Sequence, residues 1–154
     1  MRWPFACALH ELAKRDKRVV LLMGDVGGGL FADFARDYPR RYYNLGTAEQ
    51  TMVGIAAGMA LCGLRPVVYS FTPFLLERAF EQIKLDVDHN RAPVLLVGWE
   101  DASQGITHRA LDAKKMIEIL PGTRGLYPKT KDELENLLSS AVDSPAFLLL
   151  RALP

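Results

Sequence analysis

Residues 44–63, NLGTAEQTMVGIAAGMALCG, are the stretch around which the rest of the chain is organised. Small and apolar residues leave this stretch almost no polar face, which predicts a helix that is buried on several sides. One carboxylate, Glu49, lies in the predicted first turn, just after Thr47. Thr47 is suited to cap free backbone N–H groups there, and the helix dipole tolerates a negative charge. Glu49 is therefore either a capping acid or a carboxylate directed at a ligand between two packed bodies.

Short apolar runs lie on both sides of this stretch and predict buried strands. Residues 19–23 (VVLLM) precede it, and residues 65–70, 93–98 and 146–150 follow it. Segments with helical spacing of apolar residues, such as residues 3–15, separate the runs. Continuous apolar runs are typical of strands that are covered on both faces. The alternation predicts an α/β fold with a doubly wound, mostly parallel sheet and helices on both faces.

Polar and aromatic residues follow the predicted strands. They are Asp25, residues 44–49, residues 70–74 and residues 99–108. In doubly wound sheets ligands bind at the carboxyl ends of the strands, so we expect a site at this edge. The glycines at 27–29 match neither GxGxxG nor GxxxxGK[ST], and no phosphate-binding loop of those types is predicted.

The composition of the 154 residues, with 49% hydrophobic and 24% charged residues, is that of one globular domain. Lys and Arg (19) nearly balance Asp and Glu (18), which gives no indication of a nucleic-acid or anionic-membrane partner. No apolar run approaches the roughly 20 residues of a membrane span. Cys7 and Cys62 lie in apolar helical patterns without metal-ligand spacing. We therefore expect buried, reduced thiols, no metal site and a soluble, cytoplasmic protein.

Five motifs occur in a fixed order: GDVG (24–27), NLGTAEQTMVGIAAGMAL (44–61), SFTPFLLERAFEQI (70–83), APVLLVG (92–98) and GITH (105–108). They are similar to motifs of the transketolase family. Over nearly its whole length the chain resembles the pyrimidine-binding domain of thiamine-diphosphate enzymes of that family, especially the small subunit of split transketolases. The resemblance implies that residues 1–154 are a single pyrimidine-binding domain, with neither a diphosphate-binding domain nor a third C-terminal domain in this chain.

The resemblance also implies a cofactor site. In the family the acid that corresponds to Glu49 hydrogen-bonds the N1′ atom of the aminopyrimidine, which would make Glu49 a general acid/base acting through the cofactor. Phe71 and Phe74 match an aromatic wall around the pyrimidine, with ordinary core packing as the alternative. Asp25 resembles a family acid near the cofactor cleft, with loop capping as the alternative. We therefore predict that these four residues bind the cofactor.

Three further residues are predicted to contact substrate. His108 matches a family histidine beside the reacting carbon and is predicted to be catalytic. Gln104 stands where sugar-processing members carry an acid that binds a substrate hydroxyl. Arg2 aligns with a family arginine that grips a substrate phosphate, with a mobile N-terminus as the alternative. Tyr127 replaces a phosphate-contacting arginine of many members, and the loop at 99–108 is shortened, so the donor is expected to differ from that of ordinary transketolases.

The activity implied by the resemblance is transfer of a two-carbon ketol or acyl unit, from a ketose or 2-oxo acid donor to an aldehyde. Thiamine diphosphate would bind between this chain and a larger diphosphate-binding subunit that holds Mg²⁺, in a two-fold symmetric heterotetramer. The chain alone is expected to be inactive. One alternative is a decarboxylating enzyme subunit, of the dehydrogenase E1 β type or similar to deoxyxylulose-phosphate synthase. The other is a non-catalytic scaffolding subunit, which has no need of Glu49 and His108.

Overall fold

A parallel sheet of six strands lies at the centre of the computed structural model, which describes residues 1–150 and, at positions 28 and 102, only the backbone. The strands are β1 (Val19–Met23), β2 (Tyr42–Asn44), β3 (Arg65–Phe71), β4 (Leu95–Trp99), β5 (Arg124–Leu126) and β6 (Ala146–Leu150). Their order is β2-β1-β3-β4-β6-β5, and every neighbouring pair is parallel. The predicted doubly wound, parallel α/β sheet is confirmed.

Helices connect the strands. They are α1 (Arg2–Arg15), α2 (Ala32–Asp37), α3 (Glu49–Leu61), α4 (Phe80–Gln82), α5 (Ala113–Glu118) and α6 (Lys131–Ala141). Two π-helical segments, Pro73–Glu77 and Ile83–His89, flank α4. Four 3₁₀ turns lie at Gly28–Phe31, Pro39–Arg41, Ala102–Gln104 and Ile106–His108.

Two hydrophobic layers cover the two faces of the sheet, as predicted. Successive residues of a strand point to opposite faces. Val19 and Leu21 of β1 belong to the layer that includes α1 and α6, whereas Val20 and Leu22 belong to the layer that includes α3 and α5. All five residues of β1 are buried, which explains why this strand reads as a continuous apolar run.

The central helix α3 differs from its prediction in two ways. It begins at Glu49 after Ala48, and no side chain caps its N-terminus, so the predicted capping by Thr47 is wrong. Only the face toward the sheet is buried, because one sheet covers one side of a helix. Ile55 and Leu61 on the other face are 37% and 64% exposed. The prediction of burial on several sides therefore does not hold for this chain.

The two cysteines also differ from their prediction. Cys7 and Cys62 are both free and exposed rather than buried. Cys7 lies on the outer side of α1, and Cys62 follows the last residue of α3. A periodic apolar pattern gives the face of a helix only approximately, which is why exposure was missed. No helix among the described residues is both long and apolar enough to cross a membrane.

The carboxyl ends of the parallel strands meet at one edge of the sheet, where Asp25, Glu49, Phe71 and Trp99 follow or end successive strands. Because α1 precedes β1 and packs against it, the first residue of α1 returns to the same edge. There the Arg2 Nε donates a hydrogen bond to the hydroxyl of Tyr69 on β3, at 2.9 Å. Arg2 thus lies in α1 and bonds to β3.

Candidate active site

Glu49 is placed by the loop that joins β2 to α3. After β2 the backbone turns over the end of β1, where the Leu45 N–H donates to the Met23 carbonyl at 2.9 Å. The turn includes Gly46 with φ of 71°, a left-handed conformation that favours glycine. Asn44 stabilises the turn, because its Oδ1 accepts from the Gly46 N–H at 3.1 Å. The loop leaves Glu49 as the first residue of α3, with its side chain fully buried.

The Glu49 carboxylate has a hydrogen-bond partner on each oxygen. The hydroxyl of Ser70, near the end of β3, donates to Oε1 at 2.8 Å. The Nη1 of Arg78 donates to Oε2 at 2.7 Å and forms an ion pair. These partners lie on other elements, so Glu49 is not a capping acid of its own helix. Each carboxylate oxygen has two lone pairs, so each keeps one acceptor position beyond these bonds.

Gly24 borders this carboxylate at the end of β1. A Cβ atom at this position would lie 3.1 Å from Ser70 Oγ and 3.2 Å from Glu49 Oε1. Such distances are tighter than ordinary van der Waals contact. The absence of a side chain at position 24 therefore leaves space for the hydrogen bond between the Ser70 hydroxyl and the Glu49 carboxylate.

An aromatic cluster lies beside the acid. The ring of Phe71 contacts the rings of Phe74 and His108, with centroids 5.6 Å and 4.6 Å apart and near-perpendicular planes. Phe74 and His108 also meet edge to face, at 4.9 Å. The guanidinium carbon of Arg78 lies 4.3 Å from the centroid of Phe74 and so joins this cluster to Glu49. The structure thus brings together four predicted site residues: Glu49, Phe71, Phe74 and His108.

His108 ends the 3₁₀ turn Ile106–His108 and is half-buried. Its Nδ1 lies 2.9 Å from the hydroxyl oxygen of Thr107, within hydrogen-bonding distance. A hydrogen bond on one ring nitrogen fixes the orientation of an imidazole. The histidine is thereby oriented by its own turn and by the edges of two phenyl rings.

Trp99 extends the cluster toward Arg2. Its ring stacks on Phe71 with centroids 4.1 Å apart, and the guanidinium carbon of Arg2 lies 3.6 Å above it. Burial raises the pKa of Tyr69, and the hydrogen bond from Arg2 acts in the opposite direction. The Trp99 indole Nε1 is buried and has no hydrogen-bond partner among residues 1–150. Arg2 therefore contacts the aromatic cluster through Trp99.

Asp25 and Gln104 lie at the same edge, where Asp25 bonds to Asn44 at the end of β2 and Gln104 bonds within its own loop. Asp25, with φ of 54°, donates its N–H to Asn44 Oδ1 at 3.1 Å and accepts from Asn44 Nδ2 at 3.0 Å. This geometry agrees with the loop-capping alternative for Asp25. Gln104 is exposed, and its amide Nε2 donates to Asp101 Oδ2 at 2.8 Å. The described contacts do not bring either residue against Glu49 or His108.

Sequence reasoning assigned no individual role to Ser70, Arg78, Trp99 or Gly24, although residues 70 and 99 belong to the stretches expected at this edge. A signal for Arg78 was present, because it follows Phe74 by four residues, and residues at this spacing are neighbours on a helix surface. A signal for Ser70 was a hydroxyl near the end of a buried strand. Among residues 1–150 no group of three or more His, Cys, Asp or Glu side chains is arranged to hold a metal ion.

Comparison with known proteins gives the family of this chain. Residues 1–152 match the family model described as the transketolase pyrimidine-binding domain. An uncharacterised 33.6 kDa protein of the fasciation locus of Rhodococcoides fascians is 32% identical, over 96% of this chain and 48% of the relative. The 1-deoxy-D-xylulose-5-phosphate synthases of Geobacter metallireducens and Desulforudis audaxviator are 36% and 30% identical, over 92% and 96% of this chain. The chain spans 24% of each synthase.

Solved structures give the same result. A split-gene transketolase, solved as an inactive beta4 tetramer, is similar with a TM-score of 0.86 and 26% identity, over 96% of this chain and 50% of that chain. A transketolase variant from Pichia stipitis has a TM-score of 0.84 and 19% identity, over 97% of this chain and 25% of that one, and shows the shared fold. With the family model matching almost every residue, the chain belongs to the transketolase pyrimidine-binding domain family.

Proposed function

We propose that this chain is the pyrimidine-binding subunit of a split, thiamine-diphosphate-dependent transketolase-like enzyme. The reaction is transfer of a two-carbon ketol or acyl unit from a ketose or 2-oxo acid donor to an aldehyde. The observation that carries the proposal is Glu49, a fully buried carboxylate at the carboxyl edge of the sheet, bonded to Ser70 and Arg78. A buried charge at a ligand-binding edge is typical of a functional site rather than of a structural helix end.

Glu49 fits the aminopyrimidine of thiamine diphosphate. Its carboxylate keeps acceptor positions beyond the bonds from Ser70 and Arg78, so it can hold or release a proton at the N1′ atom. When bound, the cofactor supplies a stabilised carbanion for the transfer of the two-carbon unit. Phe71 and Phe74 offer apolar ring surface next to Glu49, which suits a flat heteroaromatic ring.

The substrate side of the proposal rests on His108 and Arg2. His108 lies against both phenyl rings and would hydrogen-bond substrate oxygens or move a proton near the reacting carbon. Arg2 would place a positive charge on the far side of Trp99, suited to an anionic donor or acceptor. Gln104 and Asp25 would support the site by stabilising the loops at this edge of the sheet.

A partner subunit is part of the proposal. We place Mg²⁺ and the cofactor diphosphate on a diphosphate-binding subunit, with the cofactor between the two chains in a heterotetramer acting in the cytoplasm. The similar split-gene transketolase, which this chain matches over 50% of that chain, supports a divided enzyme. Residues 1–154 then contribute one domain of the complete enzyme.

A second candidate is a decarboxylating enzyme that uses a 2-oxo acid. It is supported by the curated relatives named 1-deoxy-D-xylulose-5-phosphate synthase, at 30% and 36% identity. Both candidates use Glu49 in the same way and differ in the donor. Hydroxypyruvate and pyruvate, each offered with an aldehyde acceptor, separate them because only the decarboxylating synthase type is expected to favour pyruvate.

Calorimetric titration tests the proposal. Thiamine diphosphate with Mg²⁺ is titrated into this chain alone and into its mixture with a candidate diphosphate-binding subunit encoded nearby. We expect binding only in the mixture, and loss of that binding with Glu49→Ala. Glu118→Ala, which removes an exposed acid at the end of α5, is the control and should bind as the parent does. Equal binding by the Glu49→Ala mixture would overturn the role of Glu49.

A further inference from the structure

Arg78 supplies the positive charge that accompanies the buried Glu49 carboxylate. The Glu49 side chain is 0% exposed, whereas the Arg78 side chain is 43% exposed, and 2.7 Å separates their bonded atoms. An ionised carboxylate withdrawn from water is stable only when hydrogen bonds and an opposite charge replace its hydration. Ser70 provides a neutral hydrogen bond, and Arg78 provides the charge.

The guanidinium of Arg78 is itself held in place. It lies over the ring of Phe74, with its carbon 4.3 Å from the centroid. A planar guanidinium stacks on an aromatic face while its edge N–H groups remain available to a carboxylate. The backbone is fixed as well, because the Arg78 N–H donates to the Pro73 carbonyl at 3.2 Å, the five-residue spacing of a π turn.

We propose that Arg78 is the positioning residue for Glu49. Its guanidinium pairs with the carboxylate and holds Oε2 beside the Phe74 ring, while Ser70 holds Oε1. This inference rests on the proposed function, in which Glu49 exchanges a proton with the cofactor ring. Arg78 acts through Glu49 and does not contact the reacting carbon.

A double-mutant cycle in the chain alone tests the contact without any cofactor. Arg78→Met is compared in the parent chain and in the Glu49→Gln chain by urea unfolding at pH 7. We expect a clear drop in the unfolding midpoint in the parent chain and a much smaller drop with Glu49→Gln, since the charge to be compensated is gone. Arg78→Lys should recover part of the loss. Equal drops in both backgrounds would overturn the inference.

Arg36→Met is the matched control. Arg36 also pairs with carboxylates, Asp33 and Asp37, but on the exposed surface of α2. Exposed ion pairs contribute little to stability, so the midpoint should change slightly and by the same amount in both backgrounds.

Kinetics of the assembled enzyme test the positioning role. We expect Arg78→Met to lower kcat about tenfold or more with the donor KM little changed, and Arg78→Lys to restore most of kcat. Unchanged kcat per folded complex would mean that the pair is only structural and would overturn the inference. If the parent complex does not bind thiamine diphosphate at all, the proposed function is wrong. The double-mutant cycle in the chain alone then still tests whether Arg78 and Glu49 interact.

Discussion

At the scale of single residues, the site depends on how little space surrounds the Glu49 carboxylate. Ser70 Oγ and Glu49 Oε1 meet at 2.8 Å beside Gly24, where a Cβ atom would come within 3.1 Å and 3.2 Å of them. A buried hydrogen bond to a charged group is strong only at good geometry, so small displacements matter. The identity of residue 24 therefore affects the position of an acid that lies 25 residues further along the chain.

Gly24→Ala is predicted to destabilise the chain and to disturb the acid. Overpacking of a buried site costs about 1–3 kcal/mol, and we expect a loss of the free energy of unfolding in this range, measured in urea. Thiamine diphosphate binding to the assembled enzyme should weaken as well. Gly58→Ala is the control: this exposed position in α3 has no atom within 4 Å of the added Cβ. There alanine should stabilise by about 0.5–1 kcal/mol, and a gain at position 24 would contradict the prediction.

At the scale of elements, the turn Ala102–Gln104 shows how a short segment beside the site is held by one acid. Asp101 Oδ1 accepts from the N–H and the hydroxyl of Ser103, at 3.1 Å and 2.6 Å. Its Oδ2 accepts from the side-chain amide of Gln104 at 2.8 Å. These hydrogen bonds hold the pKa of Asp101 below its ordinary value of 3.8, led by the Ser103 hydroxyl.

The turn should therefore be acid-resistant. A carboxylate with a lowered pKa contributes stability above the ordinary pKa, and that contribution is lost as the pH falls through the lowered value. We predict that Ser103→Ala moves the Asp101 titration midpoint, followed by carbon NMR of its carboxyl group, back up toward 3.8. Ser139→Ala, which changes an exposed serine on α6, should leave the midpoint where it is. No upward movement with Ser103→Ala would show that the hydroxyl is not the main cause.

The elements also show what could be predicted from sequence. The strand β1 was predicted with its observed limits, because both of its faces are buried and the pattern is continuous. The apolar spacing of residues 73–88 predicts one helix, yet the structure has π-helical segments, Pro73–Glu77 and Ile83–His89, on both sides of α4. Arg78 and Glu49 are 29 positions apart, and no local pattern reports such a contact. The exposed face of α3 was missed for the same reason, since it depends on what the rest of the fold covers.

At the scale of the whole molecule, one sheet separates two hydrophobic layers and takes part in both. Val20 and Leu21, adjacent in β1, belong to different layers. A loss of packing in one layer therefore destabilises the shared strands, and through them it also destabilises the other layer. Such coupling is the physical basis of a single cooperative transition.

We predict that the two layers unfold together. Leu134→Ala in the α6 layer and Ile117→Ala in the α5 layer should each lower the free energy of unfolding by about 2–5 kcal/mol. Each should shift one transition, with Trp99 fluorescence and far-UV circular dichroism coinciding. All variants are made in a Trp3→Phe background, so that the fluorescence reports on Trp99 alone. Leu61→Ala is the control: at a 64% exposed position it should change the free energy of unfolding by less than about 0.5 kcal/mol. Separate transitions by the two probes would contradict the prediction.

The two edges of the sheet have a further consequence. The edge strands β2 and β5 are each three residues long, so each offers few backbone groups to an incoming strand. Short edge strands are a common protection against edge-to-edge pairing with the strands of other chains. The short edges therefore limit the association of several copies of the chain by backbone hydrogen bonds between strands. Association of this chain with another protein is therefore expected to depend on side-chain contacts rather than on added strands.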